Sequence, residues 1–241
     1  MNQEVCRPFD VVIVSVGQRD VRTLPSTAVR GTPPKLEHYR CPHPILGDGG
    51  GLDLRSYAAR ALSWFQREDD RAGVAARVEL PLLDKVLKHV AERQPGHPPA
   101  LVLVTSDQPD AQFRPGDTVV LGELIKQVLE ARPEQAVRKV VLFPVKANPI
   151  LIMDVCEALR PLVGLVGGAT DRSVPYVAIA GQGGTPALST AVAFLFAAVA
   201  RGRVESDRAR WEVGELVLVG GPADWQIKNL GRTALFEELG W

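Results

Sequence analysis

Apolar residues along this chain fall into short β-branched runs that alternate with longer segments of helical periodicity. The runs have the composition of strands buried on both faces of a parallel sheet, and they lie at residues 10–16, 75–82, 100–104, 139–145 and 174–180. The segments between them place apolar residues on one helical face, and they lie at residues 53–66, 83–93, 117–129 and 150–159. Strands separated by helices of this length indicate right-handed βαβ units. The pattern therefore predicts an α/β fold with a Rossmann-like, doubly wound and mostly parallel sheet that carries helices on both faces.

Residues 174–200 combine a predicted strand, a glycine-rich loop at residues 181–184 and an Ala-rich helical segment. Thr185 followed by Pro186 is typical of a helix start. The residue before a proline is pushed out of the α region, and the proline gives up an amide that would be unpaired there. Free backbone N–H groups and the positive end of the helix dipole then point to one spot. We expect a phosphate-bearing ligand at residues 181–186; the alternative is that the glycines only permit a tight turn.

The helix predicted over residues 186–200 is apolar almost all round. One face is expected to cover the sheet, and the other to be covered either by a second protomer or by this chain's own loops. Residues 215–219 predict a late strand, at the sheet edge or in a hairpin. We expect a ligand-binding domain over residues 1–220, followed over residues 221–241 by a linker and the start of a further helix or of a truncated second domain.

Charge and composition exclude several classes of protein. The 241 residues include 28 basic and 28 acidic side chains, and 46% are hydrophobic. Balanced charge argues against binding of long nucleic acid by bulk electrostatics, although backbone amides can still hold a small anion. The longest apolar run is shorter than the ~20 residues that cross a bilayer, no segment has the order of a signal peptide, and three separated cysteines suit a reducing compartment. We therefore expect a cytoplasmic protein with no membrane partner.

His38, Cys41 and His43 raise the question of a metal site. They lie in an irregular segment, residues 21–53, that is rich in proline and glycine. No fourth ligand follows at the spacing of a zinc site, so a loop with incidental histidines is the favoured interpretation. We expect no metal and no cofactor.

Polar residues follow several predicted strands, at the edge where ligands of open α/β sheets bind. Together with the glycine loop, these strand tips supply the candidate ligand-binding residues. They are Ser15, Val16, Gly17, Gln18, Arg19, Thr105, Ser106, Asp107, Gln108, Lys146, Asn148, Gly181, Gln182, Gly183, Gly184, Thr185 and Pro186.

Four segments of the chain, in this order, resemble the CRISPR-associated Rossmann-fold (CARF) sensor domains of type III CRISPR ancillary proteins. They are SVGQRD at residues 15–20, TSDQ at 105–108, GDTVVLGELIKQVLE at 116–130 and AGQGGTPAL at 180–188. The last segment is similar to the family's glycine motif, and its pairing with the TSDQ and DT segments makes the match fairly specific. The resemblance covers about residues 9–220.

The resemblance implies a homodimer that binds a cyclic oligoadenylate, the tetra- or the hexa-adenylate, and controls an attached effector in antiviral defence. The ring phosphates would lie on the turn from Gly183 to Thr185. Adenine edges would pair with amide side chains such as those of Gln18, Gln108 and Gln182. A ring of repeated adenylates has rotational symmetry, so an isologous dimer can offer the same groups to each half of it.

Effector motifs are absent from the sequence: it has no HEPN-type Arg–His spacing, ExK core, P-loop, GxSxG or GxGxxG. Binding without turnover is the favoured interpretation, because no candidate for ring cleavage has a general base beside it in the sequence and no histidine falls on a strand tip. Slow ring cleavage is the second, in which a ribose 2′-OH attacks the neighbouring phosphate with help from Ser15, Lys146 and Thr185. A Rossmann-type nucleotide-dependent enzyme is the third, with Glu79 as its weak candidate for binding a ribose. A transcription regulator with a winged helix beyond residue 241 is the fourth.

Overall fold

The computed structural model describes residues 7–17, 20–23, 53–132, 134, 136–148, 151–181, 184–204, 210–218 and 225–229. Its strands are β1 (Val11–Ser15), β2 (Arg22–Thr23), β3 (Val78–Glu79), β4 (Ala100–Ser106), β5 (Lys139–Val145), β6 (Tyr176–Ala180), β7 (Glu212–Leu218) and β8 (Trp225–Asn229). Its helices are α1 (Leu54–Arg67), α2 (Arg71–Ala75), α3 (Leu83–Arg93), α4 (Val119–Ala131), α5 (Ile152–Gly167) and α6 (Pro186–Ala200).

Six of the strands form one sheet in the order β5–β4–β1–β6–β7–β8. The first five strands of this order pair in parallel, and β8 pairs antiparallel to β7 at the edge. The helices divide between the two faces, so the predicted α/β fold with a doubly wound, mostly parallel sheet is confirmed. Among the described residues, no helix is long and apolar enough to span a bilayer.

The order of the strands defines a switch point between β1 and β6. From β1 the chain moves outward to β4 and then β5, and it returns to the other side of β1 as β6 before moving on to β7. When the chain leaves two neighbouring strands toward opposite faces of the sheet, a crevice opens at the carboxyl ends of those strands. The segments after Ser15 and Ala180 lie at this crevice.

Two apolar layers enclose the sheet, as the alternation along β1 illustrates. Val12 and Val14 belong to the layer under α1, α2, α3 and α4, whereas Val11 and Ile13 belong to the layer under α5 and α6. A strand whose neighbouring side chains enter two different cores favours apolar residues at successive positions, which accounts for the β-branched run from Val11 to Val14.

Helix α6 buries much of its apolar surface against other parts of the chain. Its buried residues include Leu188, Val192 and Phe196, which share one apolar cluster with residues of α5. The Phe196 ring also lies 6.0 Å from the ring of Trp211, between centroids. Ala193 and Phe194, on another side of the helix, stay partly exposed. What covers that side, a second protomer or the chain's own loops, stays a prediction.

Three segments differ from the sequence-based predictions. The expected strand at residues 75–82 is mostly absent. Its first residue, Ala75, ends the short helix α2, which the Asp70 side chain caps by accepting from the Gly73 N–H. Only Val78 and Glu79 form a strand, β3, and it pairs with β2 outside the main sheet. Helix α5 extends beyond residue 159 to Gly167, because Pro161 lies on its exposed side, where water can bond to the carbonyl that loses its amide donor. The sequence predicts a linker after residue 220, but Trp225–Asn229 forms the edge strand β8.

Candidate functional site

The first turn of α6 lies directly against the end of β1. Gly184 has a backbone φ of +76°, and a Cβ atom built on it would lie only 2.9 Å from the Cβ of Ser15. Ser15 is 2% exposed, and its hydroxyl forms no hydrogen bond with another described residue. The alternation along β1 directs this side chain to the α6 face of the sheet. The Ser15 side chain, which is not bonded to another described residue, therefore lies beside the turn that starts α6.

Thr185 is the N-cap of α6, as the sequence predicts. Its extended backbone (φ −76°, ψ 148°) precedes Pro186 in the first helical position, and its Oγ1 accepts from the Leu188 N–H at 3.3 Å. Thr185 and Pro186 are exposed, while Gly181 and Gly184 are half-buried. The helix dipole of this 15-residue helix thus ends at a turn that solvent reaches and that Ser15 borders. Gln182 and Gly183 lie outside the described residues.

The tip of β1 is closed by a residue that the sequence analysis did not assign to the site. The Gly17 N–H donates to Oδ2 of Asp20 at 2.7 Å, and the Asp20 N–H donates back to the Gly17 carbonyl at 3.2 Å. The Val16 N–H donates to the Val104 carbonyl. The amides of Val16 and Gly17 are therefore used within the chain and are not free donors for a ligand. Gln18 and Arg19 lie outside the described residues.

Asp20 is 8% exposed, and burial raises the pKa of its carboxyl to about 6, although the hydrogen bond from Gly17 acts in the opposite direction. A carboxyl group with this pKa changes charge close to neutral pH. Its signal in the sequence is an acidic residue three positions after a glycine, a pattern typical of side chains that bond to backbone in turns.

The tip of β4 is bonded to the segment that starts α4. The Ser106 N–H donates to Thr118 Oγ1 at 2.9 Å, and the Thr118 N–H donates to Ser106 Oγ at 3.1 Å. The Gln108 N–H donates to Asp117 Oδ2 at 2.9 Å, and its side-chain NH₂ donates to Asp117 Oδ1 at 3.1 Å. Gln108 is buried, so its amide holds the fold together and is poorly placed to pair with an adenine edge.

Thr105 and Asp107 lie on either side of Ser106 at the tip of β4, and their side chains have different surroundings. Thr105 is fully buried, its methyl group lies against Gly122 of α4, and its hydroxyl has no hydrogen-bond partner among the described residues. Asp107 is half-buried, and its carboxylate lies 3.4 Å from a guanidinium nitrogen of Arg55. Arg55 is a functional candidate that the sequence analysis missed, because nothing near it in sequence places it at the carboxyl edge of β4.

Lys146 and Asn148 follow β5, which β4 separates from β1. Two strand spacings correspond to about 10 Å. Lys146 is exposed, and the Asn148 carbonyl accepts from the Leu151 N–H just before α5. Of the three candidates for ring cleavage, the structure thus brings together Ser15 and the turn at Thr185 and leaves Lys146 on a different strand tip.

Neither a metal-binding cluster nor a similar protein identifies the ligand of this site. Within the described part of the chain, no group of three or more His, Cys, Asp or Glu residues could hold a metal ion; His38, Cys41 and His43 lie outside it. No protein-family model matches the chain, and no curated protein or solved structure matches it. The described residues bring a helix N-terminus and the Ser15 side chain together at the switch point, an arrangement that can hold a small anion.

Proposed function

We propose that this chain is a sensor that binds a cyclic oligoadenylate as a homodimer and controls an attached effector in type III CRISPR antiviral defence. The proposal combines the resemblance of residues 15–20, 105–108, 116–130 and 180–188 to CARF domains with the geometry at the switch point of the sheet. The cytoplasm is the corresponding compartment.

The observation that carries the proposal is the approach of Gly184 to Ser15. It supports an anion site at the start of α6, where the helix dipole favours negative charge and the Ser15 hydroxyl is available as a donor. A phosphodiester of the ring carries one negative charge and two unesterified oxygens, which suits one helix N-terminus and one hydroxyl per protomer. Two protomers related by a two-fold axis would offer this pair of donors to each half of the ring.

Binding is favoured over cleavage. Cleavage by the ribose 2′-OH needs donors aligned on the same phosphate that is attacked. Lys146 lies at the tip of β5, so it supports such a site in the same protomer poorly. The amide of Gln108 is engaged with Asp117, which removes one of the expected groups for reading adenine and leaves Gln18 and Gln182 as predictions.

Isothermal titration of the chain with cyclic tetra-adenylate and cyclic hexa-adenylate tests the proposal, with ATP and NAD as the competing ligand classes. We expect one of the two rings to bind at micromolar concentration or below, with one ring per two chains, and to raise the melting temperature as its concentration increases. Ser15→Ala is expected to weaken binding about 10-fold, the effect of a lost hydrogen bond to a charged group. Thr190→Ala, an exposed position on the same helix, is the matched control. Binding of ATP or NAD but of neither ring contradicts the proposal.

A further inference from the structure

Arg55 lies at the carboxyl edge of the sheet with most of its hydrogen-bonding capacity unused. It belongs to the first turn of α1, and its side chain is 37% exposed. Nη1 lies 3.4 Å from Asp107 Oδ1 and 3.3 Å from Asp117 Oδ2, which are long distances for N–H···O hydrogen bonds. Within the described residues, neither Nη2 nor Nε has a partner.

The position of Arg55 relates it to the switch point. Ser15 pairs in register with Val104, so Asp107 stands three residues beyond the level of Ser15 on the neighbouring strand. The guanidinium beside Asp107 therefore lies beyond the tip of β4, on the side of the sheet that α1 and α4 cover, and one strand away from the tip of β1. A ligand larger than a single phosphate, seated at the start of α6, would extend over this tip.

Two carboxylates, Asp107 and Asp117, contact the single guanidinium of Arg55, so the local charge is net negative and only the unused donors of Arg55 favour an anion contact. Asp117 is 0% exposed, and its carboxylate already accepts the Gln108 backbone and side-chain N–H groups. Asp107 is half-buried and bonds to no other described side chain. Since Nη1 alone serves both carboxylates, Nη2 and Nε are able to bind an anion without breaking either contact. A guanidinium presents two parallel donors to a phosphate in a geometry that lysine cannot reproduce.

We propose that Arg55 is a second anion contact, which binds a phosphate group of the ligand seated at the Ser15–Gly184 turn, and that Asp107 weakens this contact. The inference rests on the proposed function and names a ligand-binding residue outside the segments that carry the resemblance. If Arg55 serves only to neutralise Asp117, its removal changes the stability of the protein and leaves the affinity for the ligand unchanged.

Titrations with cyclic tetra-adenylate and cyclic hexa-adenylate at low ionic strength test the inference on Arg55→Ala, Arg55→Lys, Asp107→Asn and the double variant Arg55→Ala/Asp107→Asn. We expect Arg55→Ala to weaken binding of the ring that the wild type binds by about 10-fold or more, and Arg55→Lys to weaken it less. Asp107→Asn is expected to tighten binding, and this gain is expected to disappear when Arg55 is alanine, because Asp107 acts through Arg55. Arg67→Ala, at the exposed end of the same helix, is the control for loss of a positive charge.

The outcomes separate the inference from the function. If the wild type binds a ring and Arg55→Ala binds it equally well, the inference is overturned and the proposed function stands. If Asp107→Asn tightens binding equally with and without Arg55, the carboxylate acts directly on the ligand and the inference is also overturned. If the wild type binds neither ring, the proposed function itself fails. Should Arg55→Ala not fold, Arg55→Lys and Asp107→Asn carry the test, since unchanged affinity in both overturns the inference.

Discussion

Gly184 approaches Ser15 more closely than any side chain at position 184 would allow. A Cβ atom there would lie 2.9 Å from the Ser15 Cβ and 3.5 Å from the Val16 carbonyl oxygen. The backbone φ of +76° is itself one that residues other than glycine rarely adopt. Glycine is therefore required twice at this position, and the contact fixes the start of α6 against the end of β1.

Gly184→Ala is expected to lower the free energy of unfolding by about 2–4 kcal/mol, since it combines the cost of a positive φ with overpacking against β1. Gly202→Ala is the matched control, because Gly202 has a similar φ of +68° but no atom within 4 Å of the added Cβ. Gly202→Ala is expected to lower the free energy of unfolding by only about 1–2 kcal/mol. Urea denaturation measures both values, and equal losses in the two variants would show that the approach to Ser15 is not tight.

Asp20 is expected to make the stability of the protein depend on pH. Its pKa is raised by burial from 3.8 to about 6, so the folded state binds the proton more tightly than the unfolded state. The stabilisation from the protonated carboxyl is complete below about pH 4 and is lost as the pH rises through about 6. A shift of this size corresponds to about 3 kcal/mol between those limits.

Asp20→Asn separates this effect from other titrations. Its side-chain carbonyl still accepts from the Gly17 N–H but carries no charge, so we expect the variant to be more stable than the wild type at pH 8 and similar to it near pH 4.5. Urea denaturation at intervals between pH 4.5 and 8 measures the difference. Asp69→Asn, at an exposed position, is the control. A gain from Asp20→Asn that is the same at every pH would contradict the prediction.

Gly122 allows α4 to pack closely on β4. A Cβ at this position would lie 2.5 Å from the Thr105 methyl group and 3.3 Å from Leu142 Cδ2. Gly122→Ala is therefore expected to destabilise the fold by about 1–3 kcal/mol. Thr105→Ser removes the methyl group in question and keeps a hydroxyl that has no partner, so the double variant is expected to recover most of the loss. Additive losses in a double-mutant cycle measured by urea denaturation would contradict this account.

Local sequence patterns predicted the parts of the fold and of the site that depend on local chemistry. The apolar runs predicted β1, β4 and β6 because strands buried on both faces require them, and they also predicted the edge strand β5, whose residues are mostly half-buried. The Thr185–Pro186 pair predicted the start of α6, since N-caps and first-turn prolines are local signals. The helix α2 was missed although Asp70 supplies its cap, because a five-residue helix has too few positions for a periodic pattern.

Tertiary packing determines the rest. Gln108 and Ser106 had the composition expected of ligand-binding strand tips, yet their hydrogen-bonding groups are used by Asp117 and Thr118, which lie 9 and 12 residues further along the chain. Whether a polar residue at a strand tip faces a ligand or another part of the chain depends on where the next helix starts. Arg55 could not be predicted for the same reason, since its position at β4 follows from the packing of α1 against α4.

Among the carboxylates at the tips of β1 and β4, Asp117 is expected to lower the free energy of unfolding most when it is replaced. It is 0% exposed and accepts from the Gln108 backbone N–H, the Gln108 side chain and Arg55. Asp117→Ala leaves the buried Gln108 backbone N–H without its acceptor and removes one of two acceptors from the Gln108 side chain and from Arg55. This is expected to cost about 2–5 kcal/mol, whereas Asp110→Ala at an exposed position is expected to cost less than about 0.5 kcal/mol. Urea denaturation measures both losses, and hydrogen exchange of the Gln108 amide provides a local readout. If that amide stays protected in Asp117→Ala, the carboxylate is not what holds the tip of β4 to the start of α4.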